Sequence, residues 1–277
     1  MPVLRQVDVS TVDALTGPQN PAPDQIEGPL VQATVASVAR PPVVSRTAWG
    51  SPDGQGSRKL ADYRGVDHLI VHHTADSNSL YATEPNWAAR VRAIWVYHAI
   101  SRGWGDIGYN YLIDPNGVVY EGRAGGDNAV AFHDTANYGS MGVSMLGTYQ
   151  SVTPRQATQD ALVQLLAWKA AQRGIDPRGS SFYYGCSYSK YCYPFNPGSV
   201  VPNIAGHRQV TPGHTSCPGD AAMAIMPNIR DRVARLMGEG SQQPETNLAL
   251  VGVQYGRTSL AAGEVLQLSL IHISEPT

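Results

Sequence analysis

The sequence predicts an α/β domain, a mixed central β-sheet flanked by helices, over residues 43–238. Three features carry that expectation. Short β-rich runs alternate with longer amphipathic ones, an Asn-Gly pair stands between two apolar runs, and several segments repeat their apolar residues at helical spacing.

Each element follows from its local pattern. His68-Leu69-Ile70-Val71-His72-His73 reads as a buried strand. Residues 87–100 read as a helix, because Val91, Ile94, Trp95 and His98 recur at i, i+3, i+4 and i+7. Residues 109–114 and 118–121 form a hairpin around Pro115-Asn116-Gly117. Residues 141–146 are a further strand. The next helix opens with Thr153 as N-cap, Pro154 in its first turn and Gln156 closing a capping box. Its core stripe is Ala161, Leu162, Leu165, Leu166 and Trp168, and Gly174 ends it. The last helix, residues 220–237, is interrupted or kinked at Pro227.

The flanks read differently. Residues 1–42 are a tether punctuated by Pro18, Pro21, Pro23, Pro29, Pro41 and Pro42. Residues 239–268 are a polar linker and the start of a β-rich module too short to bury itself. Residues 269–277 look like translated sequencing-adapter text and stay outside the fold reasoning.

Composition narrows the function. Charged residues are 15% of the 277, against roughly 25% in an average soluble domain. The net charge is −2, which excludes a strongly basic nucleic-acid surface. No apolar run reaches the ~20 residues of a membrane-spanning helix. Residues 1–16 lack the apolar stretch of a signal peptide, so the chain stays inside the cell unless it is a fragment.

The 3 cysteines fall into two groups. Cys186 and Cys192 lie close together in Tyr-rich, Pro-rich text, which suits a short loop disulfide in an exported protein. Three unrelated thiols are the alternative. Cys217 stands apart, in His214-Thr215-Ser216-Cys217-Pro218-Gly219-Asp220. With His72 and His207 it supplies imidazole nitrogen and thiolate sulfur, donors that suit Zn²⁺ and leave a fourth position open. Spacing alone is weak support, since it fits no short zinc motif.

Ordered motifs give more. Ile70-Val71-His72-His73-Thr74-Ala75, Ser101-Arg102-Gly103-Trp104-Gly105-Asp106-Ile107-Gly108-Tyr109-Asn110-Tyr111 and Val119-Tyr120-Glu121-Gly122-Arg123 occur in sequence. Gly206-His207-Arg208 and Thr215-Ser216-Cys217-Pro218-Gly219-Asp220 complete the series, and Ser45-Arg46-Thr47-Ala48-Trp49-Gly50 opens it. The chain resembles the peptidoglycan recognition protein and zinc-dependent N-acetylmuramoyl-L-alanine amidase family, which includes phage lysozyme-type amidases.

The resemblance implies a single zinc site in a surface groove, with His72, His207 and Cys217 as ligands. His73, on the opposite face of its strand, does not share the metal. Tyr109 positions or activates water and Thr215 stabilises the oxyanion. His133 stands where family members offer a histidine to glycan or peptide, with an ordinary surface histidine as the alternative. Of the remaining residues, His98 reads as structural, Arg123 as a brace for the sheet, and Trp49 and Trp104 as either core or groove wall.

Three features depart from the family pattern. The stretch from Gln209 to His214 is longer than in many relatives, so His214 rivals Thr215 as the polar helper. Ala124-Gly125-Gly126 replaces the Gly-Trp or Asn-Phe pair that sorts diaminopimelate from lysine stems, which leaves stem preference unread. Residues 181–201 form a Tyr-rich insertion.

The implied activity is zinc-dependent hydrolysis of the amide between N-acetylmuramic acid and L-alanine, by a monomer acting outside the cell or at the cell wall. The implied partner is peptidoglycan, glycan plus stem peptide. A receptor that binds peptidoglycan without cleaving it is the alternative; such relatives typically lose the metal cysteine, which this chain keeps.

Overall fold

The computed structural model describes residues 38–79, 86–134, 136–185 and 198–241. Its strands are β1 (Val43–Val44), β2 (His68–His73), β3 (Tyr111–Ile113), β4 (Val119–Glu121), β5 (Ser140–Met145), β6 (Ser180–Tyr183), β7 (Ser199–Pro202) and β8 (Ile204–Gly206). Its α-helices are α1 (Trp87–Trp95), α2 (Gln156–Arg173), α3 (His207–Val210) and α4 (Asp220–Ser241).

Six strands form one mixed sheet in the order β1-β4-β3-β5-β2-β8, and β6 pairs with β7 separately. The β3–β4 pair is antiparallel because a tight turn joins it. In that turn Asp114 Oδ1 accepts the N–H groups of Asn116 and Val118 at 2.8 and 3.0 Å. The other pairs of this sheet are parallel, including β2 with both β5 and β8. All six residues of β2 are buried, as a run with parallel neighbours on both edges requires.

Alternation along the strands sorts side chains between two helical layers. Leu69, Val71, Val143 and Met145 pack with Leu162, Leu165 and Leu166 of α2 and with Met226, Ile229 and Val233 of α4. Each such side chain, fully buried, contributes about 1.5–3 kcal/mol relative to exposure. On the other face Leu112, Tyr120 and Leu146 meet Trp49 and Trp87, Val91, Ile94 and Trp95 of α1. The α/β architecture with helices on both faces of a mixed sheet is as the sequence predicts.

Details differ at the helix ends. The apolar stripe expected in residues 87–100 is buried, but α-helix stops at Trp95 and a π-helical turn, Val96–Ser101, follows. Its wider winding leaves Val96, Tyr97 and Ile100 exposed while His98 and Ala99 turn inward. The expected capping box at Thr153 is absent. Arg155 takes the N-cap position without a side-chain cap, and Gln159 Nε2 donates to Pro154 O at 2.7 Å. Pro154 disfavours helical backbone at the preceding Thr153, so the helix starts after the proline. Gly174 does close α2, at φ 66°. The last helix is not interrupted: α4 runs through Pro227.

The packed chain reaches upstream of Val43. Val38 is buried, Arg40 Nη2 donates to the Tyr111 hydroxyl at 3.0 Å, and the Arg40 guanidinium lies 5.2 Å from the Trp168 ring. Residues 1–37 and 242–277, and with them most of the tether, the β-rich module and the adapter-like end, lie outside the described residues. So do Cys186 and Cys192, on which the disulfide expectation falls. No described helix is long and apolar enough to cross a membrane.

Candidate metal centre

Because β2 and β8 are adjacent and parallel, their C-terminal ends open on the same edge of the sheet. His72 stands near the end of β2, and His207 follows β8 as the first residue of α3. Cys217 arrives on the loop before α4. One ligand atom from each of His72, His207 and Cys217 lies within 4.8 Å of the others. His72 Nδ1 is 3.6 Å from Cys217 Sγ.

Small contacts seat the loop. A Cβ on Gly206 would come 2.4 Å from Met223 Sδ and 2.8 Å from Pro218 Cδ, so only glycine lets the Cys217-Pro218 corner reach the end of β8. The Arg208 N–H then donates to Cys217 O at 2.8 Å, and the His73 N–H points at Cys217 Sγ at 3.3 Å. The His73 ring turns the other way, its Nδ1 accepting from the Tyr149 N–H at 3.2 Å. It lies outside the ligand cluster, as strand alternation requires.

Burial keeps the imidazoles neutral. It holds His72 well below the ordinary histidine value, with neighbouring histidines adding to the effect, and His207 at about 4, against a hydrogen bond to the His133 backbone that works the other way. Burial also pushes the Cys217 thiol up to about 12. The lone pairs are therefore free, while the thiol must shed its proton as a cation binds. His207 Nε2 is buried without a hydrogen-bond partner. Two imidazoles, one of them with this unsatisfied nitrogen, and one sulfur fit a borderline-soft divalent cation with one position left open.

His133 is not where the sequence reading put it. It is 0% exposed, and its Nδ1 lies 2.7 Å from His72 Nε2. The ring has no surface to offer a substrate; it stands behind the candidate ligand. Tyr109 and Thr215 do line the cleft over the cluster. The Tyr109 ring is 5.1 Å from that of His72. Burial, and after it the Cys217 sulfur, raises the pKa of the Tyr109 hydroxyl, so it stays protonated. Thr215 Oγ1 accepts the Cys217 N–H at 3.0 Å, which leaves its own proton to donate. His214, its rival, is engaged with Asp134 through Nδ1.

Arg123 is buried against Asp106 at 2.6 Å, and Arg46 holds the other oxygen of that carboxylate at 3.0 Å, so Arg123 braces the fold as expected. Trp49 is core, its Nε1 donating to Glu121 O at 2.7 Å, whereas Trp104 belongs to the cleft wall. His98 packs between Trp104 and Tyr109 at 4.6 and 5.4 Å and also faces the cleft. The cleft holds about 1160 Å³. Sequence reading missed Arg58, Lys59, Arg102 and Phe132 on its wall. No periodicity marks them, and only the nearby tryptophans hint at a binding surface.

Three potential metal donors, His72, His207 and Cys217, thus gather in a cleft at the ends of parallel strands of a mixed α/β sheet. Residues 62–220 match the family described as N-acetylmuramoyl-L-alanine amidase, and the chain belongs to that family, which is shared by amidases and peptidoglycan recognition proteins. Peptidoglycan-recognition protein SC2 of Drosophila simulans is 35% identical over 178 residues, covering 64% of this chain and 80% of that protein. Human N-acetylmuramoyl-L-alanine amidase is 28% identical over 220 residues, 76% of this chain but 33% of the human protein. The solved structure of bumblebee PGRP-SA, 25% identical, covers 68% of this chain and 95% of its own with a TM-score of 0.51.

Proposed function

We propose that the chain is a zinc-dependent N-acetylmuramoyl-L-alanine amidase that cleaves peptidoglycan between the lactyl group of muramic acid and L-alanine. The observation that carries this reading is the His72–His207–Cys217 cluster, three donors within 4.8 Å at the cleft floor. A bound Zn²⁺ supplies Lewis acidity toward the scissile carbonyl and toward water.

The chain's own residues do the rest. His72, His207 and Cys217 hold the ion, and His133 fixes the orientation of His72 through the contact at its far nitrogen. The protonated Tyr109 hydroxyl positions the attacking water. The Thr215 hydroxyl donates to the carbonyl oxygen as it gains charge. Water adds to the carbonyl carbon, the C–N bond breaks, and the products are a lactyl carboxylate and a free L-alanine amino terminus.

Two substitutions test these roles. Cys217→Ser replaces a thiolate with a poor neutral ligand, so zinc content, read by elemental analysis, and turnover should both collapse. Tyr109→Phe should keep its zinc and lose about 10²-fold or more in turnover. Full activity in Cys217→Ser removes the metal assignment. Zinc-loaded wild-type protein that releases no L-alanine amino termini from any peptidoglycan is a receptor instead.

A further inference from the structure

The cleft has a basic wall to which the hydrolytic reading assigns no task. Arg58 and Lys59 line it from the loop before β2, and Arg102 from the end of the π-helical turn. All three are exposed. The two segments touch, since a Cβ on Gly105 would stand 3.0 Å from Lys59 Cβ, and Ser57 Oγ donates to Gly105 O at 3.3 Å.

Each cation lies over an aromatic ring. The charged centres of Arg58, Lys59 and Arg102 are 5.9, 4.6 and 5.4 Å from the ring centroids of Trp95, Phe132 and Trp104. Trp104 and Phe132 meet edge to face at 5.8 Å, so Lys59 and Arg102 bracket one aromatic pair. Stacking of this kind restrains the long side chains and holds their charges in place.

Among the described residues these charges have no carboxylate partner: none stands at ion-pair distance from Arg58, Lys59 or Arg102. The acidic side chains lining the same cleft are engaged, Asp62 with Arg64 at 3.4 Å and Asp134 with His214. The whole chain carries −2, so the positive wall is a local arrangement and not a consequence of composition. A concave surface concentrates such a field. Ring contacts lead from it back to the ligand cluster, through Trp104, His98, Tyr109 and His72. A peptide of a few residues, at about 3.5 Å each, reaches from one to the other.

We infer that Arg58, Lys59 and Arg102 form an anion subsite that receives a carboxylate of the stem peptide. The peptide then runs from the ligand cluster toward Trp104 and Phe132. This rests on the peptidoglycan reading for the identity of the peptide. Phosphate groups of a wall polymer share the same charge chemistry, and the test separates the two.

The probe is a free stem tetrapeptide, which has no muramyl amide to cleave, compared with the same peptide with its carboxylates amidated. Calorimetry on the full-length protein at low salt should show about a tenfold preference for the carboxylate form. The preference should shrink at 1 M salt, where charges are screened beyond about 3 Å. Arg58→Gln, Lys59→Gln and Arg102→Gln together should bring the ratio of affinities to about one, whereas Arg58→Lys with Arg102→Lys should retain the preference. Equal binding of the two peptides by the wild type overturns the inference, as does a tenfold ratio that survives the triple substitution. Displacement of the peptide by a glycerol-phosphate polymer at lower concentration than by free peptide overturns the carboxylate assignment. Failure of the amidase reading shows separately, as preserved carboxylate preference in a protein without turnover.

Discussion

Gly142 lies so close to His133 that a Cβ there would come 2.1 Å from His133 Cε1. The bare backbone of β5 is what lets this ring lie flat behind His72. Gly142→Ala should therefore destabilise the fold by about 1–3 kcal/mol through overpacking. It should also weaken zinc binding, because His133 can no longer brace His72. Unchanged melting temperature and zinc affinity in Gly142→Ala would show that the His72–His133 contact does no positioning. At this scale the motifs brought the right neighbours together: His72, His207, Cys217, Tyr109 and Thr215 all line one cleft. Sequence reading misplaced His133, whose burial depends on a glycine in a strand that pairs with β2, a relation invisible in local text.

Among the elements, β2 to β5 and the helix faces were legible from their apolar patterns, whereas β1, β6, β7 and β8 were not read as strands. The boundaries were not legible either. The π-helical turn after Trp95 and the uncapped start of α2 arise from tertiary packing and from Pro154, not from cap residues. Nor does the proline-rich texture before Val43 show that Val38 and Arg40 pack on the sheet and on α2. Gln164 Nε2 adds a bond to Ala39 O at 3.1 Å. A chain beginning at Val38 should melt with the full-length protein. One beginning at Val43 should melt several degrees lower, for a loss of ~1–2 kcal/mol in a domain of this size. Identical melting of the two truncated chains would assign residues 38–42 to the tether after all.

Across the whole molecule, the number of buried neutral histidines sets the response to acid. Burial lowers His73, His98 and His207 to about 4, His133 to about 3, and His72 well below its ordinary value. The unfolded chain takes up these protons near pH 6.5, the folded chain only near 4 or below. Stability is thus fully present above pH 6.5 and is lost as pH falls toward 4, by up to about 1.4 kcal/mol per histidine per pH unit. In chelator, the melting temperature should drop steeply between pH 7 and pH 5. A flat profile would mean that these rings are solvated in the native state.

The central claim, hydrolysis of one particular amide, is tested most directly by mass spectrometry of intact peptidoglycan digested with the wild-type protein, with and without chelator. Free L-alanine amino termini, matched by muramic acid residues with an unsubstituted lactyl carboxylate, should appear only when zinc is retained. New reducing sugar ends, cleavage between amino acids of the stem, or equal release in chelator would contradict the account.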